Sequence, residues 1–132
     1  MAEVIFFEKP GCANNNRQKK LLQQAGHSII CRDLLQEPWT ESRLLEFFKD
    51  SPIALWFNRS APAVKSGEIV PERCDAATAL QKMIQDPLLI RRPLMECNNE
   101  TMVGFDYQRI NDWLGLVQVS DNEELEQCAR IQ

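Results

Sequence analysis

The first 31 residues carry the patterns of a strand, a helix and a second strand in succession. Residues 3–7 are mostly apolar, branched or aromatic, as in a buried strand. Residues 14–25 place Leu21, Leu22 and Ala25 on one helical face, and a glycine follows as a stop. Residues 27–31 form the second apolar run. Such a βαβ unit makes the two strands parallel, with a right-handed crossover, and so restricts the chain to an α/β fold.

The middle of the chain is predicted to be helical. Between residues 38 and 86 apolar side chains recur at helical spacing, and Thr40 and Asp75 are placed to cap two of the helices. Residues 60–67 are interpreted as a loop because they are rich in small residues, with proline and glycine. We therefore expect a helical insertion over about 38–86.

The last part of the chain returns to strands. Residues 93–103 hold two short apolar runs around an Asn-Asn pair, which is a hairpin signal, and Asp106 is placed to cap a final helix. The order predicts an α/β protein with a mixed sheet, in which the insertion separates a βαβ half from a ββα half. We expect one domain over 1–117 and a polar tail over 118–132.

Composition excludes several broad classes of function. The 132 residues, of which 44% are hydrophobic and 26% charged, indicate one globular domain. The formal net charge of −4 disfavours direct binding to nucleic acid or to an anionic membrane. No apolar run approaches the roughly 20 residues of a bilayer span. The first residues lack the pattern of a signal peptide, so we expect a cytoplasmic protein.

The chain has five cysteines, at Cys12, Cys31, Cys74, Cys97 and Cys128. Their odd number and irregular spacing disfavour a disulfide framework. No pair has C-x-x-C spacing and His27 is the single histidine, so no metal site is expected. Cys31 and Cys97 lie in predicted strands and are interpreted as core residues, Cys74 precedes a helix, and His27 is interpreted as a polar edge residue. Cys128 lies in the tail, where a free thiol could resolve a disulfide or link two copies of the chain.

Cys12 follows Pro10-Gly11 and stands in the turn before the first helix. A helix N-terminus presents unpaired N–H groups and the positive end of the macrodipole, so we expect the pKa of Cys12 to lie below the free value of about 8.5. The same N–H groups can hold a tetrahedral oxyanion, and we predict that Asn14 and Asn15 add amide donors. The alternative is an inert, half-buried Cys12.

Asn15 occupies the position where a second cysteine would complete C-x-x-C. A disulfide formed by Cys12 must therefore be closed by another molecule or by a distant cysteine, and the sequence does not identify that resolving thiol.

Two arginines further along the chain are candidates for the same site. Pro93 starts a predicted strand after a loop, a position compatible with a cis peptide bond, and we expect Arg92 to direct its guanidinium toward the thiolate. Arg59 is the second candidate. For both arginines the alternative is an exposed residue on a surface turn.

These residues resemble the ArsC/Spx family. The resemblance runs from Glu3 to about Leu116 and is carried by three ordered segments, which are Pro10-Gly11-Cys12, Phe57-Asn58-Arg59-Ser60, and Arg91-Arg92-Pro93-Leu94 followed by Val103-Gly104-Phe105. Residues 56–69 are similar in particular to the nitrogenase-associated branch of the family. The resemblance implies a thioredoxin-like, glutaredoxin-like sheet with a helical insertion.

The resemblance also implies roles for individual residues. Reductases of the family use one cysteine, matched by Cys12, and hold the oxyanion with three arginines, of which Arg59 and Arg92 match the first two. Pro93 matches the cis-proline that faces the redox cysteine. The third arginine falls near Gly104 or Phe105, where this chain has none.

Two kinds of function follow from the resemblance. In one, Cys12 attacks arsenate or a related electrophile, no cofactor is bound, and glutathione as co-substrate or a glutaredoxin removes the adduct; a general thiol oxidoreductase fits as well. In the other, the protein is a non-catalytic redox sensor or adaptor whose oxidation at Cys12 alters the binding of a partner, such as a nitrogen-fixation protein. The third alternative is a stable domain that has lost its catalytic and redox activity.

Overall fold

The computed structural model describes residues 2–49 and 51–115, which contain four strands and five α-helices. The strands are β1 (Glu3–Glu8), β2 (Ser28–Asp33), β3 (Leu94–Cys97) and β4 (Glu100–Val103). The helices are α1 (Ala13–Gln24), α2 (Glu41–Phe48), α3 (Pro62–Lys65), α4 (Ala76–Gln85) and α5 (Tyr107–Leu114). Single turns of 3-10 helix lie at Ile53–Trp56, Pro71–Arg73 and Pro87–Leu89. None of the described helices is both long and apolar enough to span a membrane.

The four strands form one mixed sheet in the order β2-β1-β3-β4. β1 is parallel to β2, with Phe6 opposite Cys31, and antiparallel to β3, with Phe7 opposite Leu94. β3 and β4 pair around a two-residue turn, in which Asn98 and Asn99 have φ angles of 53° and 66°. Positive φ at both positions suits a hairpin turn of this length. The predicted mixed α/β sheet, with helices between its two halves, is confirmed.

The alternation of side chains along β1 divides the core into two clusters. Val4 and Phe6 pack with residues of α1 and α5, whereas Phe7 packs with residues of α2 and α4. Helices therefore cover both faces of the sheet. Cys97 is buried in the first cluster at 2% exposure, as predicted for a core residue.

Local signals for the helix starts agree with the structure, with one exception. Thr40, Asp75 and Asp106 each accept a hydrogen bond from a backbone N–H in the first turn of their helices, at 3.2, 2.7 and 3.0 Å. The loop predicted for 60–67 is wrong in part, because Pro62 begins the single turn of α3. Proline at a first helical position loses no intrahelical hydrogen bond and has a suitable φ.

His27 is buried, so its interpretation as a polar edge residue is wrong. Its side chain is 6% exposed, and its Nδ1 accepts a hydrogen bond from the backbone N–H of Ala2 at 3.0 Å. Because Nδ1 accepts, Nε2 carries the proton of the neutral ring and donates to the Gly115 carbonyl at 2.8 Å. The imidazole thus ties the start of β1 to the end of α5.

Candidate active site at the start of α1

A tight turn carries the chain from β1 to Cys12. The backbone N–H of Cys12 donates to the carbonyl of Lys9 at 3.2 Å, and Gly11 has a φ of +84°. Proline at the second position and a positive-φ glycine at the third are typical of a type II turn, and Pro10-Gly11 supplies both. Cys12 is the N-cap residue of α1, with extended backbone angles of −76° and 120°. Cys12 is a partly exposed residue.

The first turn of α1 buries polar side chains. Asn14 and Asn15 are 1% and 2% exposed. Oδ1 of Asn14 accepts a hydrogen bond from Arg17 Nη2 at 2.6 Å. Oδ1 of Asn15 accepts one from the backbone N–H of Lys9 at 3.3 Å, and its Nδ2 donates to Gln18 Oε1 at 2.9 Å. Both amides thus contact their own chain, and the oxyanion-binding role predicted for them stays a prediction.

The Arg92–Pro93 corner lies at the same end of the sheet as the Cys12 turn. Because Phe7 stands opposite Leu94 in an antiparallel pair, the residue before β3 lies beside the end of β1. The Arg92–Pro93 peptide bond is cis, and the Pro93 carbonyl accepts a hydrogen bond from Gly104 N–H at 2.8 Å. The Nε of Arg92 is buried and has no hydrogen-bond partner among the residues that the structure describes. A guanidinium donor at this corner is thus unsatisfied.

Arg59 lies in a neighbouring segment, and its described side-chain contact is with Glu72. The backbone N–H of Asn58 donates to the Leu89 carbonyl at 2.8 Å, so this segment runs beside the one that leads to Arg92. The Arg59 guanidinium forms an ion pair with Glu72, and both side chains are more than half exposed. The hydrogen bond from Arg59 lowers the pKa of the Glu72 carboxyl below its ordinary value. The oxyanion-binding role of Arg59 likewise stays a prediction.

Cys31 is exposed, so its interpretation as a core residue is wrong. β2 is an edge strand, and the outer rim of the sheet leaves the thiol open to solvent. Lys19 Nζ lies 3.7 Å from Cys31 Sγ and 2.8 Å from Glu8 Oε1. Burial alone would lower the pKa of Lys19, but its hydrogen bonds and charge interactions with Glu8 and, to a smaller extent, Cys31 together raise that pKa above 10.5.

The remaining thiols offer little support for a second nucleophile. Burial, followed by the nearby Asp75 carboxylate, raises the pKa of Cys74, which disfavours its thiolate. Burial also raises the pKa of Cys97. Cys128 and the predicted tail lie outside the described residues. Within the described part of the chain, no three or more His, Cys, Asp or Glu side chains are grouped so that they could hold a metal ion.

Gln18 is a site residue that reasoning from the sequence missed. It is 1% exposed and hydrogen-bonds Asn15, which in turn contacts the turn before Cys12. A signal was present, because Gln18 precedes Leu21 and Leu22 by three and four residues and so shares their inward face. A polar residue on the predicted apolar face of a helix indicates a buried polar contact, and this pattern could have identified Gln18.

Comparisons with known proteins agree with this architecture. The model of the ArsC family matches residues 13–113. An uncharacterised 15.7 kDa protein in the draG 3′ region of Rhodospirillum rubrum is 48% identical over 128 residues, which cover 97% of this chain and 89% of that protein. The arsenate reductase ArsI2 of Synechocystis is 23% identical over 95 residues, which cover 70% of this chain and 67% of that protein.

A solved structure shares the fold over most of its length. The ArsC family related protein from Bacteroides fragilis superposes with a TM-score of 0.73 at 18% identity, covering 83% of this chain and 97% of that one. The sheet is therefore thioredoxin-like. Because the family model spans most of the chain and includes both α1 and the Arg92–Pro93 corner, the chain belongs to the ArsC family.

Proposed function

We propose that the chain is a thiol redox protein in which Cys12 is the nucleophile and Arg92 binds an oxyanion. One observation carries the proposal: Arg92 has a buried Nε–H without a described partner, at the sheet end where Cys12 begins α1. A buried donor left unpaired costs about 1–3 kcal/mol. After a small rotation of the side chain, an oxyanion could accept hydrogen bonds from Nε and a terminal nitrogen together, a geometry that guanidinium favours.

The electronic environment of Cys12 supports the same role. The sulfur belongs to the N-cap residue of a 12-residue helix, where N–H groups and the macrodipole favour a negative charge. A thiolate and a bound oxyanion would both benefit from these groups, since each carries negative charge.

With arsenate as substrate, the chemistry balances over two thiols. The Cys12 thiolate bonds to arsenic, and a protonated hydroxyl of arsenate leaves as water. A glutathione thiolate then attacks the Cys12 sulfur, so that an S–S bond forms while the S–As bond breaks and its electron pair stays on arsenic. Arsenic(V) becomes arsenic(III), and the two thiols become a mixed disulfide. A glutaredoxin or a second glutathione restores Cys12 by thiol exchange.

The arginine set suggests modest efficiency toward arsenate. Arg59 is paired with Glu72, and no arginine stands at Gly104 or Phe105. Loss of one donor to a developing oxyanion costs about 3 kcal/mol of transition-state stabilisation when nothing replaces it. A substrate other than arsenate is therefore compatible with the same site.

A glutathione- and glutaredoxin-coupled assay with arsenate tests the enzymatic proposal. We expect turnover in the wild type, none in Cys12→Ser, and a fall in kcat/KM of about 10- to 100-fold in Arg92→Lys. Arg91→Lys, a change of the same type one residue earlier, is the matched control and should retain most activity. Wild-type turnover no greater than that of Cys12→Ser rejects the arsenate reductase proposal.

A second candidate is a non-catalytic redox sensor or adaptor. The Arg59–Glu72 ion pair favours it, because that arginine already has a carboxylate partner. Glutathionylation or oxidation of Cys12 would then change a binding surface in the cytoplasm. The similarity of residues 56–69 to the nitrogenase-associated branch, and the 48% identical relative from the draG 3′ region, suggest a nitrogen-fixation protein as partner.

Affinity capture from reduced and oxidised extracts tests this second candidate. We expect a partner whose capture depends on oxidant in the wild type and loses that dependence in Cys12→Ser. The same partners in equal amounts in both redox states would contradict the switch.

A further inference from the structure

We propose that Asn15 and Gln18 act together as positioning residues for Cys12, a proposal that rests on the nucleophilic role proposed for that cysteine. Neither side chain is required to touch the substrate. Both are almost fully buried, at 2% and 1% exposure, and both lie on the inner side of α1 within two turns of the thiol.

The two described hydrogen bonds of the Asn15 side chain have a defined direction. The backbone N–H of Lys9 can only donate, so the oxygen of the Asn15 carboxamide must face it, at 3.3 Å. This orientation turns Asn15 Nδ2 toward Gln18, whose Oε1 accepts at 2.9 Å. The Lys9 N–H therefore determines which way the Asn15 amide points, and Gln18 accepts the hydrogen bond of the Asn15 nitrogen in that orientation.

Lys9 is the first residue of the turn that ends at Cys12. Its carbonyl closes the turn by accepting from Cys12 N–H at 3.2 Å, while its N–H is held by Asn15 from within α1. The turn is thus attached to the helix by its backbone connection at Cys12 and by this second bond near its start. Two attachments restrict the orientation of Cys12 relative to the N–H groups at the start of α1.

Packing alone does not account for a polar pair at this position. The next residues on the same face, Leu21 and Leu22, are buried and apolar, and an apolar residue at 18 would continue their stripe. A buried amide pair needs hydrogen bonds to offset its desolvation, and the described bonds lead to the turn before Cys12. The pair orients the turn at a position where an apolar side chain could only fill space.

The test is the pH profile of alkylation by iodoacetamide on the full chain, with modification of Cys12 measured by peptide mass spectrometry. Gln18→Met removes the acceptor with little change in shape, and Gln24→Met makes the same change at an exposed position of α1. We expect the rate midpoint of Cys12 to rise by roughly 0.3–0.7 pH units in Gln18→Met and to stay unchanged in Gln24→Met. Hydrogen exchange of the Lys9 amide should accelerate in the first variant alone.

The double variant Asn15→Leu/Gln18→Met decides the question if Gln18→Met does not fold, because it leaves no buried Asn15 amide without its acceptor and removes a partner only from the part-buried Lys9 N–H. It should show the same rise in midpoint. Profiles of the folded variants that superimpose on the wild type, or an equal shift in Gln24→Met, would overturn the positioning role. A different result would contradict the proposed function: a rate midpoint of Cys12 in the wild type at or above that of a free thiol.

Discussion

The two halves of α1 bury opposite kinds of side chain. The first half, next to Cys12, buries Asn14, Asn15 and Gln18, whereas the second half buries Leu21 and Leu22 against β1. All five of these residues are buried, at 7% exposure or less. We therefore expect the N-terminal half of α1 to orient the turn before Cys12 and the C-terminal half to stabilise the fold.

This difference separates two uses of burial. Buried leucines contribute to the free energy of unfolding through area removed from water and do not require one exact geometry. Buried amides contribute little net stability but accept only arrangements that satisfy their donors and acceptors. Substitutions in the two halves should therefore affect different measurements, stability in one and Cys12 reactivity in the other.

The largest stability effect is expected in the apolar half. Leu22 is fully buried in the cluster of α1 and α5, so Leu22→Ala should lower the free energy of unfolding by about 2–5 kcal/mol. Urea denaturation measures this loss, and Leu45→Ala, at a leucine that is 41% exposed, is the matched control with a much smaller expected effect. The midpoint of Cys12 alkylation should not move in the folded Leu22→Ala protein. A shift there would show that the two halves are not separable.

The next effect is expected just beyond the C-terminal end of α1, at His27. Removing its ring leaves the Ala2 N–H and the Gly115 carbonyl without their described partner, so His27→Ala should cost about 2 kcal/mol of stability. Thermal and urea unfolding measure the loss. A variant as stable as the wild type would mean that water replaces both bonds without penalty.

Lys19, between the two halves, should make stability depend on alkaline pH. Glu8, with a smaller contribution from Cys31, holds the folded-state pKa of Lys19 above 10.5, so the stability gained is fully present below that pH and is lost as the pH rises through the folded-state value. The free energy of unfolding should fall more steeply above about pH 10.5 in the wild type than in Lys19→Met. Lys20→Met, at the exposed neighbouring lysine, should retain the wild-type slope. If the free energy of unfolding fell with the same slope in all three proteins, the Lys19–Glu8 ion pair would not contribute to this pH dependence.

The smallest effect is expected at Arg59. Its ion pair with Glu72 is exposed on both sides, and such pairs contribute little to stability. Arg59→Ala should therefore leave the midpoint of thermal unfolding within about 1 °C of the wild type. A clearly larger decrease would show that Arg59 supports the fold and is not merely available for a ligand.

Local patterns were sufficient to predict most of the fold. The βαβ start, the Asn98–Asn99 hairpin and the caps at Thr40, Asp75 and Asp106 depend on neighbouring residues, which a sequence displays directly. These short-range signals, read together with the family resemblance, led to the correct sheet class.

The errors occurred where burial depends on distant partners. Cys31 has the pattern of a core residue, but the sheet order leaves its strand at an edge. His27 looks like an edge residue, but Gly115, 88 positions later, covers it. The importance of Gln18 depends on Asn15 turning its oxygen toward Lys9, which no periodicity indicates. Such errors arise from tertiary contacts and not from misread propensities.

We propose that Cys12 is held as a reactive thiolate at the start of α1, and the dependence of its alkylation rate on pH is the decisive test. Peptide mass spectrometry measures the modification of Cys12 separately from that of the exposed Cys31. We expect a Cys12 rate midpoint clearly below the free-thiol value of about 8.5. A midpoint at or above that value in the folded protein would contradict it.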